Sequence, residues 1–194
     1  MNIKKSIVKI KIKEDLSLDS GKILNDYEIA FKTFGKLNKD KTNAILVCHA
    51  LTGDQFCTGK NPITNKSGWW SSLIGPKKVI DTNIFYVICS NVLGGCMGTT
   101  GPESNNPDTK KPYGLNFPVI TINDMVNAQY NLLDHFGIDK LFSITGGSMG
   151  GMQVLQFISN FPDKSKTVIP IATTSSHSAQ NIAFNELGRQ AITA

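Results

Sequence analysis

Residues 141–157, Leu-Phe-Ser-Ile-Thr-Gly-Gly-Ser-Met-Gly-Gly-Met-Gln-Val-Leu-Gln-Phe, limit the folds open to this chain more than any other stretch. Leu141 to Thr145 is a short apolar run that predicts a buried strand. Met149 to Phe157, with Met152, Leu155 and Phe157 apolar, predicts a helix. Between them Gly146-Gly147-Ser148-Met149-Gly150 matches G-x-S-x-G in the strand–turn–helix context that makes such a serine a nucleophile. The turn is tight and strained, so the Ser148 hydroxyl projects above the sheet. Gly146 and Gly150 keep side chains out of a place where backbones come close, and Gly151 is positioned to do the same. The amide of Met149 opens the helix, where unpaired N–H groups and the helix dipole favour negative charge. A glycine-rich turn whose serine only caps the helix would use the same residues. The strand before and the helix after favour the nucleophile.

Length and composition bound the rest. A chain of 194 residues fits one domain with a sizeable core. An apolar share of 40% and a charged share of 18% describe a globular chain rather than a disordered one. No uninterrupted apolar run is long enough to cross a bilayer, so no membrane partner is expected. The opening Met-Asn-Ile-Lys-Lys has the charge of a secretory leader, but Lys9, Lys11 and Lys13 interrupt what would be its apolar part. A cytoplasmic protein is the expectation. The net charge of +5 comes from scattered lysines, with Arg189 the single arginine, so nucleic acid is not an expected partner.

Cys48, Cys57, Cys89 and Cys96 form no C-x-x-C pair and have no histidine at metal-ligand spacing, so neither zinc nor structural disulfides are expected. Cys48 and Cys89 lie in apolar strand-like runs and read as core residues. Cys57 and Cys96 fall in glycine-containing loops, where nothing supports a redox or catalytic role.

Along the chain, Ile7 to Lys13 alternates Val8, Ile10 and Ile12 with lysines and predicts a half-buried strand. Leu24 to Phe34, with Tyr27, Ile29 and Phe31 on one face, predicts a second. The pair suggests an antiparallel edge to a larger sheet. Asn43 to His49 and Phe85 to Cys89 contain continuous apolar runs typical of strands covered on both faces. With Leu141 to Thr145 and Thr167 to Ile171 the count is about six strands. Thr121 to Phe136 predicts a helix stopped by Gly137. Alternating strands and helices imply a mostly parallel sheet with helices on both faces. The long connection from Asn91 to Pro118, rich in Gly, Pro, Asn and Thr, has a length usually reserved for function.

The loop after the buried run ending at Cys48 is His49-Ala50-Leu51-Thr52-Gly53-Asp54. In sheets with this elbow, a loop at that place supplies one oxyanion-hole amide and the residue after the nucleophile supplies the other. That assigns the backbone N–H groups of Leu51 and Met149 to the hole. Losing one such donor typically costs ~3 kcal/mol of transition-state stabilisation. An ordinary strand exit is the plain alternative. For His49 a structural role is expected, because it precedes Ser148 in the chain whereas the base of such a triad follows the nucleophile.

Several motifs together resemble the homoserine O-acyltransferases of the α/β-hydrolase superfamily. They are His49-Ala-Leu-Thr-Gly-Asp54, Gly68-Trp-Trp70, Ile74-Gly-Pro76, Cys89-Ser-Asn-Val-Leu-Gly-Gly-Cys96, Gly98-Thr-Thr-Gly-Pro102, Lys111-Pro-Tyr-Gly114, Gly146-Gly-Ser-Met-Gly-Gly-Met-Gln153 and the segment from Ser178 to Ile192. The resemblance runs from about Tyr27 to the last residue. It implies an α/β-hydrolase fold and transfer of an acyl group from acyl-CoA to the hydroxyl of L-homoserine, on the route to methionine. The acyl group is acetyl in most members and succinyl in some. It implies a ping-pong course through Ser148, with Leu51 and Met149 as oxyanion donors, acetyl-CoA as a substrate and no bound cofactor or metal. A homodimer is left open for a full-length protein.

One departure from the family pattern stands at the end. After Ser148 the only aspartate is Asp163 and the only histidine is His177. The family pattern places its acid, its base and an arginine for the homoserine carboxylate beyond residue 194, after a helical lid; Arg189 is not that arginine. Asp163 follows the nucleophile helix and reads as a solvated cap, and His177 as a structural residue. The expectation is therefore the N-terminal part of one α/β-hydrolase domain over residues 1–194, lacking the lid and the C-terminal strands. On that expectation the reading frame continues for roughly another hundred residues or more, and this portion alone is inactive. A serine hydrolase with the same elbow and a non-catalytic remnant are the competing expectations.

Overall fold

The apolar runs without alternation become the middle of a sheet, because only a strand covered on both faces can bury every side chain. The computed structural model describes residues 7–194. In chain order its elements are β1 (Lys9–Lys11), β2 (Leu16–Ser17), β3 (Ile23–Leu24), β4 (Glu28–Phe34), β5 (Ala44–Cys48), β6 (Ile74–Gly75), β7 (Ile80–Asp81), β8 (Tyr86–Ser90), α1 (Ile122–His135), β9 (Leu141–Gly147), α2 (Met149–Asn160), β10 (Ser165–Ile171) and α3 (Ala179–Thr193). The main sheet has the order β1-β4-β8-β5-β9-β10. Strands β8, β5, β9 and β10 run parallel, while β4 is antiparallel to β8 and β1 to β4. The antiparallel edge expected from the first two strands is present.

Successive residues of a strand serve opposite faces. On β5 and β8, Ala44, Leu46, Cys48 and Ile88 join a core with Val126, Leu132 and Leu133 of α1 and Val154 and Phe157 of α2. Ile45, Val47, Val87 and Cys89 point the other way and pack with Cys57, Ile74 and Trp70. Both helices of the larger core therefore cover one face, and the segment between β5 and β8 covers the other. Helix α1 begins with a capping box: Thr121 Oγ1 accepts from Asp124 N at 3.2 Å and the Asp124 carboxylate from Thr121 N at 2.9 Å. It ends where Gly137 takes a φ of 63°.

Three details differ from the expected elements, the first being that α1 and α2 both cover one face of the sheet where helices were expected on both. The single strand expected over Leu24 to Phe34 is split, because Asp26 adopts a φ of 53° and breaks the extended backbone. Strand β3 pairs with β2 in a separate two-stranded sheet, while Tyr27, Ile29 and Phe31 are buried together as their alternation predicts. The strand expected over Ile7 to Lys13 narrows to β1, with Val8 50% exposed. The connection from Asn91 to Pro118 is tied to β4: Ala30 N donates to Thr99 Oγ1 at 2.9 Å and Glu28 N to Thr100 Oγ1 at 2.8 Å. Among the described residues no helix is long and apolar enough to cross a membrane.

Candidate active site at the strand–helix elbow

Strand β9 lies beside β5 with Gly146 opposite Cys48, so the chain leaves both strands at the same level. Two residues past Gly146, Ser148 takes φ 55° and ψ −123°. A residue with a Cβ held there stores on the order of 1–3 kcal/mol of backbone strain, which the surroundings must enforce. They do so from two sides. Ser148 N donates to Ile171 O of β10 at 3.0 Å. Its carbonyl accepts from Thr173 Oγ1 at 2.9 Å and from Met152 N at 3.1 Å. The side chain is exposed and makes no capping bond to α2, so its hydroxyl is not spent on the helix it precedes.

The three elbow glycines each have a packing cause. A Cβ on Gly146 would lie 2.6 Å from the Gly150 carbonyl carbon and 2.7 Å from Cys48 O. One on Gly150 would run into the Cys48 carbonyl, and one on Gly151 would lie 2.6 Å from the Thr173 Cβ. Helix α2 thus starts directly against the end of β5, where no side chain fits.

Leu51 and Met149 stand three residues beyond the paired Cys48 and Gly146. Met149 is the first residue of α2, so its N–H has no partner within the helix. Leu51 is the second residue of a turn closed by Gly53 N donating to Ala50 O at 2.9 Å, and its own N–H takes no part in that bond. Among the described residues neither amide has an intramolecular acceptor. Two free donors at one rim beside an exposed hydroxyl suit a carbonyl oxygen that gains negative charge when a serine attacks its carbon.

His49 is buried to 1% exposure beneath this rim. Its Nδ1 lies 2.8 Å from Ala50 O, and its Nε2 3.2 Å from Val92 N and 3.3 Å from Asn91 Nδ2. A carbonyl can only accept and an amide N–H only donate, so Nδ1 carries the proton and Nε2 the lone pair. Burial lowers the pKa of the ring below the ordinary histidine value, against the smaller opposite pulls of the Ala50 carbonyl and Asp54. The imidazole has no free nitrogen for Ser148, in line with the structural role expected for it.

Gln153 went unassigned at the level of sequence, and it links the two sides of the rim. Its Nε2 donates to His49 O at 3.1 Å and to Met149 O at 3.3 Å. Gln129 Nε2 of α1 donates to Gln153 Oε1 at 2.7 Å, and both glutamines are buried. A polar pair at matching depth on two helices was the available signal.

Asp163 and His177 are not brought to Ser148. Asp163 follows the far end of α2, about 18 Å along a 12-residue helix from its start. His177 borders an open hollow along the flank of α2 with Met152, Leu155, Gln156 and Ser159; Ser148 is not part of it. Among the described residues no side chain hydrogen-bonds to the Ser148 hydroxyl. Cys57 and Cys96 both lie in loops, as expected; Cys57 is fully buried and Cys96 exposed. Burial pushes the Cys48 thiol up to about 12. Cys89 is raised by burial and by its neighbour Cys57, which leaves Cys48 and Cys89 as unreactive thiols.

Residues 43–190 match the family model described as the alpha/beta hydrolase fold. The chain belongs to the α/β-hydrolase fold family. This α/β-hydrolase is 64% identical over 194 residues to a homoserine O-acetyltransferase of Pelagibacter ubique, covering all of this chain and 52% of that protein. It is 61% identical to one of Mesorhizobium japonicum over 92% of this chain and 46% of the relative. The chain thus spans about half the length of the curated relatives it matches. Among solved structures, esterase E22 superposes with a TM-score of 0.84 at 36% identity, over 91% of this chain and 50% of that one. The homoserine O-acetyltransferase of Bacillus anthracis superposes with a TM-score of 0.82 at 32% identity, over 89% of this chain and 48% of that one.

Proposed function

We propose that this protein, at the length of its relatives, is a homoserine O-acetyltransferase that works through an acetyl-enzyme on Ser148. The observation that carries the proposal is the strained elbow. It holds an uncapped, exposed serine hydroxyl beside two unpartnered amides, in a chain 57–64% identical along its length to relatives of that name. Ser148 Oγ attacks the thioester carbon of acetyl-CoA and gives up its proton to a base. The carbonyl oxygen takes the negative charge toward the Leu51 and Met149 N–H groups. The C–S bond breaks, CoA leaves as the protonated thiol, and the acetyl group stays on Ser148. The hydroxyl of L-homoserine then attacks the acetyl carbon, passes its proton to the same base, and the Ser148 hydroxyl is restored. No metal or bound cofactor enters these steps. The described residues bring no acid–base pair to Ser148, so the proposal assigns acid, base and the cation for the homoserine carboxylate to residues outside this half. A cytoplasmic location belongs to the same proposal.

A serine esterase is the second reading. It is favoured by the superposition on esterase E22, a protein whose name denotes hydrolysis rather than transfer. One experiment separates the two. Incubation of the full-length protein with acetyl-CoA should add one acetyl mass to the peptide holding Ser148, and Ser148→Ala should abolish it. With L-homoserine supplied, acetylhomoserine should form faster than free acetate. Dominant release of acetate would establish the esterase, and label retained in the alanine variant would remove Ser148 from either mechanism.

A further inference from the structure

Below the rim, one side chain holds the peptide that carries an oxyanion donor. The Ala50 carbonyl receives two bonds, from His49 Nδ1 at 2.8 Å and from Gly53 N at 2.9 Å. That carbonyl and the N–H of Leu51 belong to one planar trans peptide and point in opposite directions. Whatever fixes the carbonyl therefore aims the N–H. The ring that does so is held at its far side, where Nε2 accepts from Val92 N at 3.2 Å and faces Asn91 Nδ2 at 3.3 Å. Asn91 is fixed in turn, since its Oδ1 accepts from Met97 N at 3.2 Å. Space is also controlled. A Cβ on Gly53 would lie 2.9 Å from the His49 Cβ and 3.3 Å from Nδ1, so only glycine closes the turn against the ring.

We infer that His49 is a positioning residue of the oxyanion hole: its neutral imidazole spans from Val92 N–H to the Ala50 carbonyl and thereby aims the Leu51 N–H. The inference rests on the acetyl-enzyme proposal for Ser148 and adds a role for a histidine outside any acid–base pair. The task needs a donor on one side of a rigid group and an acceptor on the other, which a neutral imidazole supplies.

The test compares three variants in the full-length protein with acetyl-CoA as the probe, reading the Ser148 acetylation rate at saturation and the half-saturating concentration. Asparagine places an amide N–H where Nδ1 stood, glutamine reaches the Nε2 position instead, and phenylalanine offers neither. His49→Asn should stay within about tenfold of the unaltered protein. His49→Gln and His49→Phe should lose on the order of 10²–10³-fold in rate, with half-saturation changed less than about twofold. Unaltered rates in His49→Gln and His49→Phe would overturn the inference. So would an equal loss in all three, or a loss confined to half-saturation. Should the variants fail to fold, the nitrogen-15 NMR spectrum of the unaltered protein decides. An Nδ1–H neutral ring on His49 at pH 7 is expected, and an Nε2–H ring or a charged one would overturn it. If Ser148→Ala still takes up acetyl, the elbow proposal fails, separately from any of these results.

Discussion

Two helices of this chain start at a serine after a strand, and they use it differently. At the start of α3, Ser178 has an ordinary φ of −68° and its side chain accepts from Asn181 N at 3.3 Å. At the start of α2, Ser148 has a φ of 55° and caps nothing. Helix α2 buries Gly150, Gly151, Gln153, Val154 and Phe157, whereas α3 buries no residue. A serine at a helix start normally gives its oxygen to the first turn, because four N–H groups there lack partners. Packing is what overrides that habit at α2. The helix is pressed so closely onto β5 that the chain must turn through a left-handed residue, and the hydroxyl is rotated out to solvent.

The largest expected contrast lies in the body of the two helices. Phe157 is 0% exposed in the core between α2 and the sheet, while Phe184 on α3 is 63% exposed. Phe157→Ala should cost about 3–5 kcal/mol. Phe184→Ala should change stability by less than about 0.5 kcal/mol. Denaturant unfolding of both variants checks the pair. Equal costs would mean that α3 is packed as firmly as α2.

A smaller effect tests the close approach itself. Gly150→Ala should destabilise by about 1–3 kcal/mol, because its methyl meets the Cys48 carbonyl, which cannot step aside without moving β5. Gly188→Ala on α3, where nothing lies within reach of the added methyl, should instead stabilise by roughly 0.5–1 kcal/mol, as in any exposed helix interior. Thermal melting of the two variants should therefore shift in opposite directions.

The contrast also shows which parts of the molecule could be read from the residues. The elbow was legible because strand, glycines, serine and helix are contiguous and each glycine answers a local need. Strands β5 and β8 were legible from unbroken apolar runs, and α1 from Thr121 and Gly137 at its ends. The break at Asp26 was not, since Asp is not an obligate left-handed residue. The two-residue strands β2, β3, β6 and β7 are too short to carry a period. Cys57 is the loop residue its neighbours suggest, but its burial was not legible because it comes from strands β5 and β8. The support of the rim was hidden for a related reason: Asn91 and Val92 meet His49 across 42 and 43 positions, and Gln153 meets the His49 carbonyl across 104. Local pattern specifies the turn that presents Ser148, while long-range polar contacts set what surrounds it.

Acid should reach the buried side of this comparison first. His49 is held below its ordinary pKa by burial, so the unfolded chain binds the proton more readily. Its contribution to stability is complete above about pH 6.5, the unfolded value, and is lost as pH falls through the lower folded value. The slope cannot exceed about 1.4 kcal/mol per pH unit for one group. Unfolding free energy measured from pH 7.5 downward should fall from near pH 6.5, and His49→Asn should remove that part of the slope. An unchanged slope in His49→Asn would assign the acid sensitivity elsewhere.

The smallest effect bears most directly on the two serines. Removing the Ser178 hydroxyl takes away a cap, so Ser178→Ala should weaken α3 by about 0.5–2 kcal/mol. The loss should appear as faster amide exchange in the first turn around Asn181, with little change in the global transition, because α3 buries nothing. Removing the Ser148 hydroxyl takes away no cap bond, and alanine meets the same backbone strain at a φ of 55°. Ser148→Ala should therefore leave both global stability and exchange in the first turn of α2 within about 0.5 kcal/mol of the unaltered protein. The Ile171 carbonyl and Thr173 hydroxyl still hold the elbow backbone, since both contact the main chain of residue 148 rather than its side chain. A destabilisation of Ser148→Ala as large as that of Ser178→Ala would mean that the Ser148 hydroxyl supports the helix after all. The difference between the two serines, one serving the fold and one left for a substrate, would then disappear.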